Sequence, residues 1–198
     1  MKELLTDKEV MNYMNALKKY ILQHSYRENH EQMFTLASGK KSPYYFDLKM
    51  TIFYPPNLLM ASKLMLNLIY QTLGEKPDYA GGLTMGADPL VYGISSLSAE
   101  RGDLIYPLIV RKQSKDHGSK KRVEGIIENA ANKEIILIDD VITTGGSTLQ
   151  AYEALCEVGF KPKYAFSILD REEGGLMNLA ASGVTLKSLF SLADFKST

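Results

Sequence analysis

The stretch Glu134-Ile-Ile-Leu-Ile-Asp-Asp-Val-Ile-Thr-Thr-Gly-Gly-Ser-Thr148 restricts the possible folds more than any other part of the chain. An apolar strand runs into two adjacent carboxylates, Asp139 and Asp140. A loop of Thr, Gly and Ser follows, and then a helical pattern begins. A strand without polar alternation is stable only where both its faces are covered, as in parallel sheets flanked by helices.

The surrounding sequence repeats that alternation. Short apolar strands are expected over 79–83, 104–110, 134–138, 164–169 and 186–189, with helices over 57–73, from Asp88 to about 101, and over 147–158. Asp88 and Pro89 have the order of a cap and a first helical residue. Gly74 stands where a helix terminator often does. Ahead of this unit, Thr6 and Glu9 have capping-box spacing, and Val10, Met14, Leu17 and Ile21 share one helical face. Two strands, 34–36 and 44–48, are expected on either side of a turn punctuated by Gly39 and Pro43. The expected fold is α/β, one domain over 1–198, with 1–56 contributing a helix and a small strand addition.

The loop after the two aspartates carries the chemistry. In open parallel sheets, ligands bind beyond the carboxyl ends of the strands. Thr143, Thr144, Gly145, Gly146 and Ser147 can offer several N–H groups and hydroxyls to one phosphate, at the positive end of the helix dipole. Gly145 and Gly146 have no Cβ to hold a ligand off. A phosphate alone has no use for neighbouring carboxylates, but a ribose does, because its 2′ and 3′ hydroxyls are donors. The combination reads as a phosphorylated-ribose site. Successive strand residues point to opposite faces, so the two aspartates are expected to do different jobs. A capped helix after solvated acids is the plain alternative, and the cost of two acids at a buried strand end weighs against it. No G-x-x-x-x-G-K-[ST] occurs, and Gly81-Gly-Leu-Thr-Met-Gly86 has the glycine spacing without the lysine.

Residues 111–122 form the second notable segment, with six Lys or Arg plus His117 and too little apolar pattern for a packed helix. A mobile basic loop is expected; a solvated charged loop or a nucleic-acid patch are the alternatives. Lys plus Arg equals Asp plus Glu at 23 each, which argues against a dedicated nucleic-acid binder. No apolar run approaches the ~18 residues of a membrane span. The opening lacks a signal-peptide profile, and the single Cys156 excludes an intrachain disulfide framework. A soluble cytoplasmic protein is expected. Cys156 reads as core packing, and His24 and His30, without metal-ligand spacing, as surface or hinge residues.

The 134–148 string resembles the phosphoribosyl pyrophosphate signature of type I phosphoribosyltransferases, hydrophobic residues followed by D-D-x-x-T-x-G. Three further segments are similar to the orotate branch of that family. They are the hood motif at Phe34-Thr-Leu-Ala-Ser-Gly-Lys-Lys-Ser-Pro-Tyr-Tyr-Phe-Asp47, the catalytic loop Arg111-Lys112-x-x-Lys115-x-His117-Gly118, and Asp170-Arg-Glu-Glu-Gly-Gly175. The resemblance spans most of the chain. It implies a mostly parallel central sheet flanked by helices beneath a small N-terminal hood, and transfer of a phosphoribosyl group from phosphoribosyl pyrophosphate to orotate.

By the same resemblance, Arg111, Lys112, Lys115 and His117 would contact the diphosphate, with Lys115 and His117 catalytic beside Asp139 and Asp140. Phosphoribosyl pyrophosphate would lie along residues 139–147, Val141 and Ile142 included. Arg171 would pair with the orotate carboxylate, Thr143 would touch orotate, and Tyr45 and Phe46 would line the base pocket. Mg2+ would be held mainly through diphosphate, ribose hydroxyls and water, with no direct protein ligand. The loop would be shared across a homodimer. The chain departs from some members at Ala37 and Met85, where they carry lysines. Charge there must come from Lys40, Lys41 or the loop, and Asp88 could engage the magnesium shell through water. A different base, or a phosphoribosyl-pyrophosphate-sensing regulator, are the alternatives. The regulator would not need the basic loop, and no helix-turn-helix segment occurs.

Overall fold

Alternation along one strand organises the whole molecule. In the computed structural model, which describes residues 4–35, 39, 41–113 and 121–196, Ile136 and Ile138 face one hydrophobic core and Ile135 and Leu137 face another. Both faces of the strand are therefore buried, as its composition requires.

The chain opens with α1 (Asp7–His24), whose Thr6–Glu9 capping box forms as expected. Four short strands follow: β1 (Tyr26–Glu28), β2 (Phe34–Thr35), β3 (Lys41–Ser42) and β4 (Tyr44–Phe46). The expected pair at 34–36 and 44–48 do not pair with each other. Instead β2 pairs with β3 and β4 pairs with β1, both antiparallel. A one-turn helix α2 (Lys49–Ile52) leads to α3 (Pro55–Leu73), which stops at Gly74 with φ +75.

Then come β5 (Tyr79–Leu83), α4 (Asp88–Glu100), β6 (Tyr106–Val110), β7 (Val123–Glu124), β8 (Ile135–Ile142), α5 (Gly146–Glu157), β9 (Tyr164–Asp170), α6 (Gly175–Ala181) and β10 (Thr185–Ser191). A 3-10 turn at Leu192–Asp194 carries Phe195 against Tyr26 and Phe46, tying the hood strands to the last strand of the sheet. Strand order is β10-β9-β8-β5-β6-β7, parallel except for the antiparallel edge β7. Helices α1 to α4 cover one face, and α5 and α6 cover the other.

Two differences from the sequence reading bear on the site. Strand β8 continues through both aspartates to Ile142, because β9 keeps pairing beside it as far as Asp170. Asp88 is not the cap of α4: Ala87 holds that position without a side-chain bond, and the Asp88 carboxylate turns back to Thr84. Cys156 is half-buried rather than a core residue.

Candidate active site

The five parallel strands change direction of winding between β5 and β8: β6 lies on one side of that pair, β9 and β10 on the other. Such a switch point opens a crevice at the carboxyl ends of the strands. Two loops meet there, 84–87 after β5 and 143–145 after β8.

Asp139 and Asp140 sit at this edge with 6% and 9% of their surfaces exposed. Asp139 is tied to the protein. Its Oδ2 accepts from the Thr148 hydroxyl at 2.8 Å and its Oδ1 from the Asp140 N–H at 3.0 Å. Asp140 Oδ1 accepts from the Val141 N–H at 2.9 Å, and the loop after β5 presses close to it. A Cβ on Gly86 would come within 2.6 Å of that same oxygen. In this loop the Thr84–Met85 peptide is cis and Met85 is exposed. Thr84 donates to Asp88 Oδ2 at 2.7 Å, leaving Asp88 Oδ1 buried without a partner among the described residues.

Burial, and next the charge of Asp140, push the Asp139 carboxyl up to about 8. The sign follows from linkage. A carboxyl that binds its proton more tightly when folded contributes stability that is fully present below its unfolded value, about 4, and is lost as pH rises through the folded one. Ligand-free protein should therefore lose thermal stability from about pH 4 to about pH 8 relative to Asp139→Asn. Paired unfolding curves across that range would read this directly, and a constant difference between the two proteins would refute it.

The other side of this edge is built by α5. Gly145 enters the helix at φ +79, and Gly146 and Ser147 are exposed at its N-terminus, so unpaired N–H groups face solvent. Helix α6 braces this turn. Gly175 lies so close that a Cβ would meet Ile142 Cγ2 at 2.4 Å and Thr143 O at 2.7 Å, and Asn178 donates to the Thr144 carbonyl at 2.9 Å.

Arg171 follows β9 and is 4% exposed. Its Nη2 donates to the Tyr44 carbonyl at 2.9 Å and to Ser42 Oγ at 3.4 Å, and lies 2.9 Å from Glu173 Oε1. Its guanidinium sits 5.7 Å from the Phe46 ring centroid. Burial pulls its pKa down, opposed by the charge of Glu173 and the nearby Tyr45 phenol. Arg171, Glu173, Lys41, Ser42 and Tyr44 line a cleft of about 470 Å³ between the hood strands and the sheet.

Curated relatives agree on one activity. Orotate phosphoribosyltransferase of Leptospira biflexa is 41% identical over 179 residues, 90% of this chain and 93% of that one. This chain belongs to the orotate phosphoribosyltransferase family. The Aquifex aeolicus member is 39% identical over 90% of this chain and 94% of its own. Among solved structures, the Mycobacterium tuberculosis orotate phosphoribosyltransferase in complex with phosphoribosyl pyrophosphate matches with TM-score 0.72. It is 26% identical over 92% of this chain and 98% of that one. No family model matches.

Against the residues singled out from the sequence, Asp139 to Ser147 converge on one edge of this orotate phosphoribosyltransferase-family fold. Tyr45 and Phe46 alternate: Tyr45 is exposed beside Phe34, while Phe46 is buried against Arg171. Arg111 pairs with Glu124 at 3.0 Å, and its N–H donates to the Arg122 carbonyl at 2.8 Å. Lys112 is exposed. Lys115, His117, Ala37 and Lys40 lie outside the described residues. Sequence reasoning missed Thr148, Gly86, Gly175, Asn178 and Glu173. Glu173 and Gly175 stand in the 170–175 segment that resembles the orotate branch, and Thr148 directly follows the cradle on the side facing Asp139.

Proposed function

We propose that this protein transfers the 5-phosphoribosyl group of phosphoribosyl pyrophosphate to N1 of orotate, giving orotidine 5′-phosphate and pyrophosphate in pyrimidine nucleotide synthesis. The buried Asp139–Asp140 pair beside the open N-terminus of α5, at the switch point of the sheet, carries the reading. The 5′-phosphate lies on the Thr143–Ser147 turn, with Val141 and Ile142 forming its strand side. The aspartates accept the ribose hydroxyls. As the C1–O bond to pyrophosphate breaks, positive charge grows at C1 and the ring oxygen; that charge favours the ionised form of both aspartates, which stabilise it. The bond from N1 then forms as N1 gives up its proton, which leaves with the departing pyrophosphate, so no strong enzyme base is required. Arg111, Lys112, Lys115 and His117 meet the departing diphosphate. Arg171, Thr143, Tyr45 and Phe46 hold orotate.

Mg2+ suits this site as a cation held by the substrate. Asp88 Oδ1, unpartnered among the described residues, is an acceptor for metal-bound water. When bound, it supplies charge neutralisation to the leaving diphosphate. We further propose that 1–198 acts as one domain, with 1–56 as its hood, and as a homodimer sharing the basic loop across subunits. The exposed Met50, Phe53 and Tyr54 give a second copy an apolar surface. Sedimentation returning a monomer during turnover would remove the dimer. A cytoplasmic location fits the absence, among described residues, of a helix long and apolar enough to cross a membrane; cell fractionation checks it.

The deciding assay follows orotate absorbance with phosphoribosyl pyrophosphate and Mg2+, with uracil and hypoxanthine in parallel. Orotate alone should turn over, and Arg171→Ala should lower kcat/KM for orotate by roughly 10- to 100-fold, the scale of a lost charge-assisted hydrogen bond. Turnover of another base would replace the substrate. Phosphoribosyl pyrophosphate binding without turnover of any base would make the protein a sensor.

A further inference from the structure

Arg171 reaches the base cleft with its charge already answered. Glu173 Oε1 stands 2.9 Å from Nη2, and the two side chains are 17% and 4% exposed, so solvent screens the pair weakly. Among the described residues Glu173 Oε2 is buried and has no hydrogen-bond partner, so its charge is not spread over other donors there. The guanidinium is also incompletely used: Nε is buried and unpartnered among the same residues. Both side chains line the same cleft beside Ser42 and Tyr44.

From this arrangement we infer that Glu173 is a specificity-determining counter-ion, which sets how strongly the pocket holds a carboxylated base by competing with that carboxylate for Arg171. The inference rests on the reading that Arg171 receives the orotate carboxylate. A guanidinium without a counter-charge in a buried cleft is costly, and an incoming anion relieves that cost. With Glu173 in place the relief has already happened, so the ligand gains less, and it also feels the nearby glutamate directly. Removing the glutamate charge while keeping an oxygen on Nη2 should therefore tighten binding of the anionic base. A residue that merely positioned Arg171 would give the opposite sign.

The test compares orotidine 5′-phosphate with uridine 5′-phosphate, which differ by the carboxylate alone, by calorimetry without pyrophosphate so that no turnover occurs. In Glu173→Gln the preference for orotidine 5′-phosphate should widen on the order of tenfold, the scale of one partly screened charge at contact range, with uridine 5′-phosphate affinity unchanged. The ligand-free midpoint of unfolding should fall, and orotidine 5′-phosphate should restore more of it than in the parent. An unchanged or narrowed preference overturns the inference. Arg171→Gln reports on the underlying reading separately: if it leaves the parent's preference intact, Arg171 does not meet the carboxylate.

Should Glu173→Gln fail to fold, the doubly neutral Arg171→Gln/Glu173→Gln protein has no uncompensated buried charge at this pair. It should prefer orotidine 5′-phosphate more than Arg171→Gln alone does, because Glu173 no longer repels the ligand. Equal preferences in those two proteins would show that Glu173 exerts no charge on the base, and the inference would fall.

Discussion

Replacing Asp140 with Ala is expected to cut orotate turnover by a factor of roughly 10²–10³, the scale on which removal of one preorganised electrostatic group acts. Thermal stability above neutral pH should hold or rise. The two effects separate because the carboxylate is placed for a ligand at the fold's expense. Asp140 is 9% exposed, its charge helps drive the Asp139 carboxyl upward, and its Oδ1 is bonded only to its neighbour's N–H among the described residues. Taking the charge away relieves Asp139 and, on the proposed mechanism, deprives the ribose of an acceptor. Steady-state rates beside a melting curve would test both halves. Turnover within tenfold of the parent would dismiss the sugar-binding role of Asp140.

The second large effect concerns stability. Gly82→Ala should destabilise the protein by about 3 kcal/mol or more, the upper range for overpacking. A Cβ on Gly82 would stand 2.2 Å from the Ile138 carbonyl and 2.4 Å from Ala87 Cβ. One is backbone of the neighbouring strand and the other the start of α4, so neither can rotate away. Moving them would shift β5 from β8 at the switch point itself. Chemical denaturation measures the loss, and a change below about 1 kcal/mol would mean that the β5–β8 spacing is softer than the packing implies.

Legibility in the sequence followed the strength of local patterning. The apolar strands of the sheet are evident as unbroken apolar runs between turn residues, and the capped first helix because its apolar positions recur at helical spacing over several turns. The phosphate turn was evident because its glycines and hydroxyl residues are adjacent in the chain. The hood was not. Its strands are two or three residues long, too short for a period of two to register, and their partners are chosen by the packing of Tyr26, Phe46 and Phe195. Edge strand β7 and helix α6 escaped for the same reason of length. Asp88 looked like a cap because it precedes Pro89, but the Thr84 hydroxyl competes for its carboxylate. Arg171 stood out by resemblance, yet its bond to the Tyr44 carbonyl, 127 positions away, has no local trace.

The pairing of Val110 with Val123, continued by the Arg111–Arg122 hydrogen bond, pins both ends of the basic segment to one point at the sheet's carboxyl edge. Lys115 stands four positions past Arg111, so bond lengths alone keep its Cα within roughly 14 Å of Arg111 whatever path the chain takes. A second subunit served by that lysine must bring its own pair of aspartates inside that radius plus one side chain. Quaternary arrangement thereby becomes a pass-or-fail distance, which a cross-linker of known span can measure.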